Sequence, residues 1–124
     1  MTASNSILLY VNDAPASARF YTKLLGKEPV EASETFAMFI LPSGLGLGLW
    51  GKAGVEPAPA VPGGGCEIGF KVATSSEIDA THADWQAKGA NIVMAPTDLD
   101  FGRSFVAADP DGHRLRVYSM AEEV

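Results

Sequence analysis

The chain has 124 residues, enough for one domain or two small halves sharing a core, and too few for two full domains. Nine Lys and Arg against fifteen Asp and Glu leave a formal charge of −6, the wrong sign for a nucleic-acid or anionic-membrane surface. Hydrophobic residues at 47% describe a chain able to build a core, and a single cysteine, Cys66, excludes an intrachain disulfide and any multi-cysteine zinc site. No apolar run reaches the roughly 18–20 residues of a membrane-spanning helix. Met1 to Ile7 lacks the basic start and long apolar stretch of a signal peptide. A reduced, cytoplasmic protein is expected, with Cys66 a buried or interfacial thiol.

In chain order, Ile7 to Val11 reads as a buried strand, and Asn12-Asp13 followed by Pro15 is a helix start. Over Ala14 to Leu25 the apolar Ala16, Phe20 and Leu24 recur every four residues beside Tyr21 and Leu25, as one helix face requires, and Gly26 is the C-cap. Pro29 to Ala32, Thr35 to Leu41 and Leu45 to Trp50 follow as strands. Gly51 to Gly65 then reads GKAGVEPAPAVPGGG, with five glycines and three prolines in fifteen residues, and is a linker. Glu67 to Val72 opens a second series. Thr74 and Glu77 suit a capping box, Ile78, His82 and Trp85 trace one helical stripe, and Lys88-Gly89 closes the helix. Ala90 to Met94, Arg103 to Ala108 and Arg114 to Ser119 are the later strands. Asp109-Pro110-Asp111-Gly112 is the turn between the last two.

The two series run in the same order. Val11 maps to Val72, 61 positions on, and Gly26 to Gly89, 63 on. Each half is strand–helix–strand–strand–strand, so the chain reads as a degenerate duplication: module 1 at about 5–50, linker 51–65, module 2 at about 66–120. The alternative is an unrelated α+β domain whose elements fall in this order by coincidence.

Strand alternation then assigns faces. In Leu45 to Trp50 the leucines share one side, and Gly46, Gly48 and Trp50 share the other. Two positions without side chains beside an indole form a shelf with an aromatic wall, where a ligand can approach the backbone. If Pro42-Ser43-Gly44 is a three-residue loop, Met38 pairs with Gly48 and Phe36 with Trp50, and both join the open face. A one-residue slip would substitute Ala37 and Phe39. Ser6, Leu8 and Tyr10 on the first strand fall on the open side, as do Glu67, Gly69 and Lys71 on the fifth and Arg114, Arg116 and Tyr118 on the last. Ile68, Phe70, Leu115 and Val117 face the helices. A mostly apolar wall carrying Glu67 and Arg116 suits a small-molecule pocket. Plain core packing is the competing reading for Trp50 and the stronger one for Trp85. A cross-strand ion pair is the competing reading for Glu67 and Arg116.

The strand ending Val-Asn-Asp, the helix ending Ala18-Arg19-Phe20-Tyr21-Thr22-Lys23-Leu24-Leu25-Gly26, and Phe101-Gly102-Arg103 leading into Asp109-Pro110-Asp111-Gly112-His113 resemble the glyoxalase/bleomycin-resistance/dioxygenase group, the vicinal-oxygen-chelate superfamily. The resemblance spans almost the whole chain. It implies an α+β fold of two βαβββ modules forming a cupped mixed sheet, in a homodimer whose cavities lie between modules. The Lys27-Glu28-Pro29-Val30 stretch, the Leu-Trp-Gly strand end and Asp98 to Phe105 are similar to phenazine-antibiotic resistance proteins that bind drugs.

Metal enzymes of that superfamily place ligands on the first and last strands of each module, which here are Ser6, approximately Gly48, Glu67 and Arg116. Only Glu67 has metal-binding chemistry, and His82 and His113 lie off those strands. The expectation is therefore a non-enzymatic protein, with no cofactor and no catalytic residue, that sequesters a planar aromatic antibiotic through Trp50, Phe36, Met38, Tyr10, Gly48, Glu67, Phe101, Arg116 and Tyr118. Phe101, on a flexible Asp/Gly-bearing loop, would close over the ligand or pack in the core. The alternatives are a metal-dependent lyase or dioxygenase with a non-standard site, and a small interaction module.

Overall fold

A computed structural model of the chain describes residues 5–121, so the start of the Met1 to Ile7 stretch lies outside the described residues. The chain divides into two compact units, residues 1–63 and 64–124.

The first unit contains β1 (Ser6–Val11), α1 (Ala14–Leu25), β2 (Glu31–Ala32), β3 (Phe36–Ile40) and β4 (Gly46–Gly51). Its four-stranded sheet has the order β1-β4-β3-β2, with β1 parallel to β4 and the other pairs antiparallel. The second unit repeats the plan with β5 (Glu67–Lys71), α2 (Ser75–Ala87), β6 (Asn91–Leu99), β7 (Gly102–Ala108) and β8 (Arg114–Met120), in the order β5-β8-β7-β6. Two identical orders, each with one parallel pair at the same place, are what a duplicated βαβββ unit produces.

Helix α1 begins where Asp13 caps it, its carboxylate accepting from the Ala16 N–H at 3.1 Å. It ends at Gly26, left-handed at φ 69°, whose N–H donates to the Thr22 carbonyl at 2.9 Å. Its buried stripe is Ala14, Ser17, Tyr21 and Leu24, centred about one residue from the Ala16–Phe20–Leu24 line read from sequence. The small Ala14 and Ser17 let the helix approach the sheet, and Tyr21 lies against Phe39 with ring centroids 6.3 Å apart. In the second unit, Trp85 of α2 packs edge-on against Phe70 and Phe105, at 5.7 and 5.4 Å, and is buried with Ile78. This is the core role expected for that tryptophan.

Four expectations need correction. The Thr74 side chain caps no backbone N–H of α2: its hydroxyl donates to the Glu77 carboxylate at 3.3 Å and pairs with Ser76, so the capping box is replaced by a side-chain pair. Strand β6 runs to Leu99 rather than Met94, because two register shifts let it continue past Pro96. As a result Phe101 sits in the tight turn of the β6–β7 hairpin and not on a long flexible loop. Of the two readings of Cys66, burial is corrected: in the single chain it is exposed, since it precedes β5 at the end of the glycine-rich segment. Within that linker Lys52–Gly54 forms a 3-10 turn and Val55 is buried.

Candidate functional site

The strand register fixes both faces without the helices. In the first unit Tyr10 pairs with Trp50, Leu8 with Gly48, Phe36 with Trp50 and Met38 with Gly48. Trp50, Phe36, Met38, Tyr10 and Gly48 therefore share one side of the sheet, and the slip to Ala37 and Phe39 does not occur. Those two are buried on the opposite side with Leu47 and Leu49. Burial of such leucines stabilises the unit by about 1.5–3 kcal/mol each. The open side keeps Leu8 and Tyr10 exposed and Trp50 half-buried, with the Tyr10 ring 6.4 Å from the indole at 73°.

The glycine shelf is not bare. A β-carbon on Gly48 would stand 2.6 Å from Leu8 Cδ2 and 3.2 Å from the Phe36 ring, and one on Gly46 would stand 3.1 Å from Met38 Sδ. Neighbouring side chains fold over both glycines. Gly48 thus shapes the wall by letting Phe36 and Leu8 lie down on the strand, instead of offering its own backbone to a ligand.

In the second unit Glu67, Arg116 and Tyr118 share a face with Gly69 and Lys71. The Arg116 guanidinium donates through Nε to Glu67 Oε1 at 2.5 Å and through Nη2 to Oε2 at 3.3 Å, while Nη1 donates to Ser104 Oγ at 3.0 Å. The cross-strand ion pair is thus present. The bond from Arg116, with the charges of Arg116 and Arg114, holds the Glu67 carboxyl below its ordinary value, against partial burial that raises it. Tyr118 lies over Gly69, and Phe101 meets it edge-on with centroids 6.3 Å apart at 80°. Ser104, fully buried beneath Arg116, is a residue the sequence reading missed. Its in-register position opposite Tyr118 could have indicated it, had the β7 register been followed from the Asp109–Gly112 turn. That turn is built as expected, with Asp109 Oδ1 accepting from the N–H groups of Asp111 and His113 at 2.9 and 2.8 Å.

The residues at the superfamily's metal-ligand positions do not fit a divalent ion. Ser6 is a weak donor, Gly48 has none, Arg116 is cationic, and both Glu67 oxygens are committed to that arginine. Among the described residues no three His, Cys, Asp or Glu side chains gather. His82 sits on α2 with its ring 5.3 Å from Phe105, and His113 follows the turn.

Comparison with known proteins decides the family. The model of the glyoxalase/bleomycin resistance protein/dioxygenase superfamily matches residues 3–117. The chain belongs to this superfamily. The phenazine antibiotic resistance protein EhpR of Enterobacter agglomerans is 30% identical over 116 residues, covering 91% of this chain and 88% of EhpR. An Agrobacterium tumefaciens protein of known solution structure is 48% identical, with a TM-score of 0.86 and coverage of 98% and 99%. A Nocardioides glyoxalase/bleomycin resistance protein/dioxygenase is 26% identical, with a TM-score of 0.84 and coverage of 100% and 87%. The two solved structures share the α+β architecture described here. No helix of the described residues is long and apolar enough to cross a membrane.

Proposed function

We propose that this protein binds and sequesters a planar aromatic small molecule, a phenazine-type antibiotic, without turnover, and so confers resistance as a stoichiometric trap in the cytoplasm. The observation that carries this reading is the gathering of Trp50, Phe36, Met38 and Tyr10 on one helix-free sheet face. Similarity to EhpR supports it, as does the misfit of the metal-ligand positions. The flat contacts come from that face. Arg116, Glu67, Tyr118 and Phe101, on the open face and hairpin turn of the second unit, are the polar and aromatic ligand contacts proposed for that unit by itself.

The test is titration with phenazine-1-carboxylate, followed by tryptophan fluorescence and calorimetry, with the ligand recovered and analysed afterwards. Trp85 is buried in the core, so quenching reports Trp50. Aromatic stacking worth about 0.5–1.5 kcal/mol beyond area burial makes Trp50→Ala roughly two- to twelve-fold weaker. Unchanged affinity in that variant removes Trp50 from the site. A chemically altered ligand together with stoichiometric nickel, zinc, iron or manganese overturns the non-enzymatic reading. We further propose a homodimer, and elution at the mass of one chain in sizing chromatography contradicts it.

A further inference from the structure

We infer that the open face of the second sheet selects a ligand bearing a negative charge, and that Arg114 receives it; this rests on the aromatic-ligand reading above. Lys71, Arg114 and Arg116 stand on that face with one carboxylate, Glu67. The in-register positions of β7, Ala108, Val106 and Ser104, add no charge, and neither do their partners on β6, Asn91, Met94 and Thr97. In a chain of net charge −6, this face runs against the whole.

Glu67 is shared unequally between its two arginines. It forms two hydrogen bonds with Arg116, whereas Arg114 Nε stands 3.5 Å from Oε2. That Nε–H is shielded from solvent and finds no hydrogen-bond acceptor among the described residues. One carboxylate between two guanidinium groups leaves one net positive charge. The side chain with room to use it is Arg114, 42% exposed against 19% for Arg116. Arg116 is held in place by Glu67 and Ser104. Arg114, paired with Glu67 only through Nε, keeps the two terminal nitrogens of its planar guanidinium for another acceptor, and a carboxylate accepts from them in two parallel hydrogen bonds. The preferred ligand class is a flat aromatic monoanion, an aryl carboxylate.

The experiment compares phenazine-1-carboxylate with its neutral isostere phenazine-1-carboxamide, at neutral pH and low salt, on wild type, Arg114→Gln and Arg114→Lys, each checked for folding by thermal melt. Wild type is expected to prefer the carboxylate by about ten-fold, the scale of a charge-assisted hydrogen bond. Arg114→Gln should reduce that preference below about two-fold, chiefly by weakening carboxylate binding, and Arg114→Lys should keep part of it because the charge remains. Added salt should narrow the wild-type preference. Equal binding of the two compounds by wild type, or a preference surviving in Arg114→Gln, overturns the inference and leaves aromatic binding standing. Failure of both compounds to bind wild type removes the aromatic-ligand reading and this inference together.

Discussion

A β-carbon at Gly102 would stand 1.9 Å from the Ser119 carbonyl oxygen, and the backbone there adopts φ 147°, a region closed to side chains. No neighbouring rotamer relieves a clash with backbone, so Gly102→Ala should lower stability by about 3 kcal/mol or more, measured as a denaturant midpoint shift at unchanged slope. An unaffected midpoint would mean the β7–β8 approach is looser than described. Glu67 makes a prediction of a different kind. Its carboxyl is held below the usual value near 4.5 mainly by its hydrogen bond from Arg116, so the charged form favours the fold. That contribution is full above the unfolded-state value and is lost as pH falls through the lower folded one. The stability gap between wild type and Glu67→Gln should therefore be flat from neutrality to about pH 5 and close below about pH 4.5. A gap that widens on acidification would contradict the sign.

Among elements, the β6–β7 hairpin is the one whose position matters most to the candidate site, because Phe101 sits in its turn. Arg103 ties it down from the helix side, donating to Asp98 of β6 at 3.0 Å and to Asp79 of α2 at 2.9 Å. Those two hydrogen bonds raise the arginine's already high pKa, so the clamp keeps its charge at any ordinary pH. On the other side the Ala121 N–H donates to the Phe101 carbonyl at 2.8 Å. Exposed ion pairs add little to global stability. Arg103→Ala should therefore scarcely move the melting temperature, yet speed amide hydrogen exchange over Leu99 to Arg103 several-fold; an unchanged exchange pattern would show the pair to be idle. This hairpin also marks where sequence reading stopped. The bounds of α1 and the pairing of Phe36 with Trp50 were legible because Asp13, Gly26 and the three-residue Pro42-Ser43-Gly44 loop are local signals. The length of β6 was not, because its bulges and internal Pro96 break the alternation from which a strand is recognised. Nor was the covering of Gly48, which depends on how Leu8 and Phe36 lean from two different strands.

For the whole molecule, the break in composition between Gly51 and Gly65 coincides with the division into units at Gly63 and Gly64. Val61 is 77% exposed and Ala60 is also exposed, whereas the bonds on either side of this pair involve proline. Elastase under native conditions should therefore cut first at Ala60–Val61, giving two fragments of similar mass by mass spectrometry, and initial cutting inside a strand would contradict the two-unit description.

The parallel pair that opens each unit places large and small residues in opposite order. Leu8 stands beside Gly48 in one copy, and Gly69 beside Arg116 in the other. The helix-packed sides stayed greasy in both copies, Leu47 and Leu49 answering to Leu115 and Val117. The two copies thus keep the same apolar packing on the helix side and differ on the open side. One fold plan carries two chemically different open faces, an apolar one around Leu8 and Gly48 and a charged one around Gly69 and Arg116, above the same kind of greasy underside.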